Sequence, residues 1–209
     1  MSTAERIFEH KIIAIMRGFD PADVLKITQA LFDGGIRILE ITMNSENPLG
    51  LIEQITATMG DKMLIGAGTV LDTASAEAAV KAGAKFILSP IVDPEVIRTA
   101  KNLGAVMIPG AYTPTEIAMG YKAGGDIIKV FPATTPAYIK NVLAPLPHIP
   151  LLPTGGVNLD NIQAYLQAGA VGMGIGSSLV NPSKPVTGEY LLALTETAKK
   201  YTASIAPKP

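Results

Sequence analysis

The feature that most constrains this chain is a recurrence of glycine followed by a short apolar run. Gly34-Gly35 precedes Ile36 to Thr42, Gly83 precedes Lys85 to Leu88, and Gly104 precedes Ala105 to Ile108. Gly124-Gly125 precedes Asp126 to Phe131, and Gly169 precedes Ala170 to Ile175. Gly83, Gly104 and Gly125 stand 21 residues apart. The gaps Gly35 to Gly83 (48 residues) and Gly125 to Gly169 (44 residues) each hold two periods. The runs that belong inside them are Met63 to Ala67 and Leu151 to Pro153. Each unit therefore reads helix, glycine stop, strand, polar loop. A helix turning sharply into a strand needs a left-handed residue at its end, which glycine supplies without a Cβ clash.

The segments before the glycines carry helical spacing, as in Val24, Ile27 and Leu31, and in Val96, Ile97 and Ala100. The runs after them are almost continuously apolar, the pattern of a parallel sheet covered on both faces. With Ile12 to Met16 in front, eight strands are expected: 12–16, 37–42, 63–67, 86–88, 105–108, 126–130, 151–153 and 171–175. A chain of 209 residues gives about 26 per unit, the compact end for a (β/α)8 TIM barrel. An open doubly wound sheet is the alternative, and the count of eight favours the barrel. One α/β barrel domain over residues 1–209 is expected, with a short N-terminal helix and a frayed tail at Pro207 to Pro209.

Composition narrows the chemistry. Hydrophobic residues are 48% and charged residues 17%, so a large core is expected. Seventeen basic and 18 acidic residues give a net charge of -1, unlike a nucleic-acid binder. The absence of cysteine removes disulfides, thiolate metal sites and a cysteine nucleophile. The two histidines, His10 and His148, have no neighbouring ligand set, so no metal site and no histidine-based triad is expected. Met1 to His10 lacks a signal-type apolar core, and no run approaches the roughly 18 apolar residues of a membrane span. A cytoplasmic protein without membrane attachment is expected.

Barrel enzymes carry their chemistry at the C-terminal ends of the strands. Here those ends hold Arg17, then Glu40, Thr42 and Asn44, then Thr69, Ser89, Thr113, Lys129 and two glycine loops. Lys129 lies inside Asp126-Ile127-Ile128-Lys129-Val130-Phe131, and strand alternation puts Ile127, Lys129 and Phe131 on one face. In an apolar shaft burial would disfavour its charge and leave a nucleophilic amine. The pattern also admits a lysine that snorkels outward or pairs structurally with a carboxylate. Glu40 shares a face with Ile38 and Thr42 and reads as its proton partner, or as half of a buried ion pair. Thr154-Gly155-Gly156-Val157-Asn158, before a helix expected near Asp160, and Gly174-Ile175-Gly176-Ser177-Ser178 follow strands seven and eight. Loops there often bind phosphate through backbone N–H groups and a helix N-terminus. Arg17 reads as a bidentate partner for a carboxylate or phosphate.

From about Ile12 to Leu179 the chain resembles the bacterial 2-keto-3-deoxy-6-phosphogluconate (KDPG) aldolases, which also handle 4-hydroxy-2-oxoglutarate (KHG). The resemblance rests on Ile-Leu-Glu-Ile-Thr at 38–42, Ile-Gly-Ala-Gly-Thr-Val-Leu at 65–71, Lys-Val-Phe-Pro-Ala at 129–133, Pro-Thr-Gly-Gly-Val at 153–157 and Ile-Gly-Ser-Ser at 175–178. It implies a homotrimeric class I aldolase needing no metal or cofactor. Its substrate would be a phosphorylated 2-keto-3-deoxy sugar acid, cleaved to pyruvate and D-glyceraldehyde 3-phosphate. KHG would give pyruvate and glyoxylate. Lys129 matches the family's Schiff-base lysine and Glu40 its general acid/base. Arg17 and Thr69 match positions around the pyruvate carboxylate, with Thr113 near the same pocket. Gly155, Gly156 and Ser178 match the phosphate pocket. The chain departs from the family at Asn44, where the phosphogluconate enzymes carry arginine. Asparagine there is similar to the 6-phosphogalactonate branch and marks a specificity position. Ser177 stands where glycine is common. The competing readings are a phosphosugar isomerase or epimerase on the same barrel, and a non-catalytic sensor of phosphorylated sugar acids.

Overall fold

The computed structural model describes residues 1–206, so the expectation for Pro207 to Pro209 lies outside the described residues. Helix α1 (Thr3–His10) precedes β1 (Ile12–Met16), α2 (Pro21–Asp33), β2 (Ile38–Thr42), α3 (Pro48–Met59) and β3 (Leu64–Gly68). There follow α4 (Thr73–Lys81), β4 (Phe86–Leu88), α5 (Pro94–Asn102), β5 (Val106–Ile108), β6 (Gly110–Ala111) and α6 (Pro114–Lys122). The chain closes with β7 (Ile128–Val130), α7 (Pro136–Leu143), β8 (Leu151–Pro153), α8 (Ile162–Gln167), β9 (Met173–Ile175) and α9 (Gly188–Ile205). Among the described residues no helix is long and apolar enough to cross a membrane.

The helix boundaries follow from local chemistry. Asp20, Asp93 and Thr135 accept hydrogen bonds from first-turn N–H groups of α2, α5 and α7, each of which opens with proline. Gly83 and Gly104, two of the glycines 21 apart, follow α4 and α5 with φ +112° and +78°. Both are left-handed turns that a Cβ would strain.

All strand pairs are parallel. Six strands form one sheet in the order β5-β4-β3-β2-β1-β9, and three form a second in the order β6-β7-β8. The expected single ladder of eight is thus, among the described residues, nine short strands in two sheets. One break falls at Pro109, between β5 and β6, which has no N–H to donate, and the other falls between β8 and β9. Alternation explains why the strands read as continuously apolar. Ile13, Ile38, Leu64, Phe86, Ile108, Ile127 and Leu152 form one cluster enclosed by the curled sheets. Ile12, Leu39, Ile65, Ile87, Met107, Ile128 and Leu151 point the other way, into the larger cluster beneath the helices. At this level both faces are dry, so neither carries a polar stripe there.

Candidate active site

Two residues beyond the enclosed cluster, the same faces of the same strands turn polar. Glu40 follows Ile38 on β2 and Lys129 follows Ile127 on β7, and both are buried, at 1% and 6% exposure. Room for Glu40 comes from the neighbouring strand. β3 pairs Gly66 with Glu40 and Gly68 with Thr42. A Cβ on Gly68 would lie 1.6 Å from Glu40 Oε1, and one on Gly66 would lie 2.3 Å from the Phe86 ring. Both are far inside contact distance, so glycine at 68 leaves space for the carboxylate and glycine at 66 leaves space for the Phe86 ring.

The two groups perturb each other in opposite directions. Burial pushes the Glu40 carboxyl above its ordinary value of 4.5, and the nearby Lys129 and Arg17 charges partly pull it back. Burial pushes the Lys129 ammonium below 10.5, Glu40 opposes this, and Arg17 adds to the lowering. Among the described residues neither closes an ion pair. Glu40 Oε2 has no hydrogen-bond partner, and the Lys129 Nζ lies 4.9 Å from the centre of the Phe131 ring. A buried acceptor left unpartnered costs about 1–3 kcal/mol, a cost that folding alone gives no reason to keep.

Both groups face a cavity of about 520 Å³ at the C-terminal ends of the strands. Arg17 and Thr69 form one rim, and Phe131 and Thr154 another wall. Arg17 donates from Nη2 to Thr69 Oγ1 at 3.1 Å. Thr69 is a β-branched residue at φ +59°, a left-handed backbone that is costly for its shape. On the far side lie Gly155 to Asn158 and Gly176 to Ser178. Gly155 and Gly156 are left-handed at φ +77° and +89°. Among the described residues the N–H groups of Gly155, Gly156 and Val157 have no protein acceptor. Ser178 Oγ donates to Val157 O at 2.8 Å and so ties the two loops together. Successive unspent backbone donors of this kind make a concavity suited to an oxyanion.

Comparison with known proteins gives this geometry a context. A family model described as "Aldolase: KDPG and KHG aldolase" matches residues 3–191. The chain belongs to the KDPG and KHG aldolase family. It is 38% identical over 178 residues to the 2-dehydro-3-deoxy-6-phosphogalactonate aldolase of Escherichia coli (strain K12), spanning 84% of this chain and 87% of that one. It is 35% identical over 181 residues to a 2-dehydro-3-deoxy-phosphogluconate aldolase of Pseudomonas aeruginosa, spanning 85% and 81%. A solved KDPG aldolase of Legionella pneumophila, with pyruvate captured at low pH as a covalent carbinolamine intermediate, aligns at a TM-score of 0.83. That alignment has 30% identity over 92% of this chain and 95% of that one.

Not every expected residue of this KDPG/KHG aldolase chain meets at the cavity. Lys129, Glu40, Arg17, Thr69, Gly155, Gly156 and Ser178 line it together. Thr113, expected near the same pocket, is not among the residues that line it. It caps α6 instead, in a reciprocal box with Glu116 that uses both its backbone N–H and its hydroxyl. Asn44 is also off the wall and touches Arg17, to whose Nη1 it offers Oδ1 at 3.0 Å. The helix expected near Asp160 begins at Ile162, because the side chains of Asn158 and Asn161 hold 158–161 as a turn. Loop N–H groups, not a helix end, therefore face the cavity there. Thr154 was missed: it is 3% exposed, on the inward face two residues past Leu152, and its Oγ1 has no partner. The alternation that found Lys129 would have found it too. The enclosing glycines, 66 and 68, stand in the 65–71 motif, but the residues they make room for are far away in the sequence.

Proposed function

We propose that this chain is a class I aldolase that cleaves a 2-keto-3-deoxy-6-phospho sugar acid, the gluconate or its galactonate epimer, to pyruvate and D-glyceraldehyde 3-phosphate. KHG, cleaved to pyruvate and glyoxylate, is a further substrate of the same reading. The observation that carries it is a buried, unpaired amine facing a buried, unpartnered carboxylate across an open cavity. The Lys129 amine adds to the C2 ketone and water leaves to give an iminium. Glu40 takes the C4 hydroxyl proton, the C3–C4 bond breaks, and its electrons flow into the iminium as the aldehyde departs. Glu40 returns a proton to C3 of the enamine, and water then releases pyruvate and the free amine.

Arg17, with Thr69, holds the substrate carboxylate, and the Gly155, Gly156 and Ser178 loops hold the phosphate. Binding at the remote end then positions the reacting carbons. Two hydrogen bonds and one bridge also support reading the two sheets as a single closed (β/α)8 barrel. Asp126 N–H donates to Met107 O and Lys129 N–H to Pro109 O, both at 2.9 Å, and Thr154 pairs with Gly174 between β8 and β9. A cytoplasmic homotrimer of one domain over residues 1–209, working without metal or cofactor, belongs to the same proposal and rests on the family resemblance.

The test is pyruvate release through a coupled dehydrogenase, measured side by side from the gluconate and galactonate epimers. The proposal expects pyruvate from at least one. Release from neither, or undiminished release by Lys129→Met, overturns it.

A further inference from the structure

Arg17 is the one guanidinium on the cavity wall, and its neighbours treat it unusually. Its two terminal nitrogens both donate to neutral oxygens, Nη1 to Asn44 Oδ1 at 3.0 Å and Nη2 to Thr69 Oγ1 at 3.1 Å. Among the described residues no carboxylate pairs with it. Its direction is thus fixed while its charge stays unspent. A carboxylate acceptor would fix it equally well and cancel the charge.

The backbone beneath Arg17 is held from the same place. Ser45, next to Asn44, accepts from Gly18 N–H at 3.2 Å and shares a 2.8 Å hydrogen bond with Thr42 Oγ1. Thr42 Oγ1 in turn lies 3.4 Å from Met16 O, its acceptor at the end of β1. Two adjacent residues of the β2–α3 loop therefore grip two adjacent residues of the β1–α2 loop, one by side chain and one by backbone. Gly18 sits at φ +69° with open space where a Cβ would be, while Phe19 beside it packs into the core, so the grip of Asn44 and Ser45 falls on the exposed part of the loop.

We propose that Asn44 is a positioning residue, which aims the Arg17 guanidinium at the substrate carboxylate without neutralising it. This rests on the reading above in which Arg17 binds that carboxylate. Arginine has a planar fork, so its affinity for a carboxylate depends on orientation as well as on charge. An acceptor at one edge of the fork leaves the remaining donors for the ligand. Asn44 thereby influences binding without a contact of its own, and the group it serves is the substrate's carboxylate end.

The test is a set of full-length variants, Arg17→Gln, Asn44→Ala, Asn44→Asp and the double variant Arg17→Gln/Asn44→Asp. KM and kcat are read with the better epimer. A second readout is borohydride trapping on Lys129 of pyruvate, which has a carboxylate, and of acetone, which has none. We expect Asn44→Asp to raise KM about tenfold, more than Asn44→Ala, with kcat changed less than threefold. Pyruvate trapping should weaken in parallel while acetone trapping stays the same, which also shows that the variants fold. In the Arg17→Gln background the Asn44→Asp change should vanish. Asn44 variants that act as strongly without Arg17, or that leave KM unchanged, overturn the proposal while the carboxylate reading stands. An Arg17→Gln variant with unchanged KM removes that reading and the proposal with it.

Discussion

Two layers of the enclosed face, two residues apart on the same strands, have opposite characters. In the lower layer Ile38, Leu64, Ile127 and Leu152 touch one another and exclude water. One step up, their successors on the same face are Glu40, Gly66, Lys129 and Thr154. The lower layer gives the full benefit of burial, on the order of 1.5–3 kcal/mol for each large apolar side chain. The upper layer buries a carboxylate, an ammonium and a hydroxyl, two of which leave an oxygen unpartnered. The lesson is that one backbone register serves both ends: the strand that seats an isoleucine in the core seats a reactive group at the cavity floor. The lower layer offsets what the upper layer costs, a division seen where catalytic sites store instability.

The largest break in this contrast is Lys129→Met, which extends the apolar layer into the cavity. Turnover should fall by roughly 10⁴-fold or more, with the fold retained in circular dichroism. Next is Glu40→Gln, which keeps the shape and removes the proton carrier. A loss in kcat of about 10² to 10⁴ is expected from steady-state kinetics. The same variant sharpens the electrostatics. Glu40 is the neighbour that holds the Lys129 ammonium up against burial. Removing it should move the midpoint of Schiff-base formation against pH further below the ordinary lysine value of 10.5.

Gly68→Ala tests the space between the layers. Its Cβ would collide with Glu40 Oε1, so the carboxylate must shift. A loss of about 10² in kcat is expected, since displacements near 1 Å cost that much. The smallest effect belongs to the lower layer. Ile13→Val should reduce stability by about 0.5–1.5 kcal/mol in urea unfolding and leave kcat unchanged. A fall in kcat there would mean that the two layers are not independent.

The same contrast explains what could be read from the sequence. Lys129 and Glu40 stood out because each is a charged residue inside a strand of apolar neighbours, and the period of two assigns its face. The strands and the glycine turns were legible for the same local reason. Thr154 was less visible because a threonine beside two glycines reads as loop. Thr113 was legible in another sense: Thr113-Pro114-Thr115-Glu116 is a helix-start pattern, and its hydroxyl serves the start of α6. The Asn44 contact spans 27 residues and the Thr69 contact 52, so no periodicity connects either to Arg17. Division of the strands into two sheets at Pro109 depended on which backbone donor a ladder needs, a three-dimensional question.

The central claim is that the amine of Lys129 forms the covalent bond to substrate. Borohydride reduction in the presence of pyruvate, followed by peptide mass mapping, tests it most directly. The account predicts one reduced pyruvyl adduct per chain, located on Lys129 and absent without pyruvate. An adduct on another lysine, or none under conditions that support turnover, would contradict it.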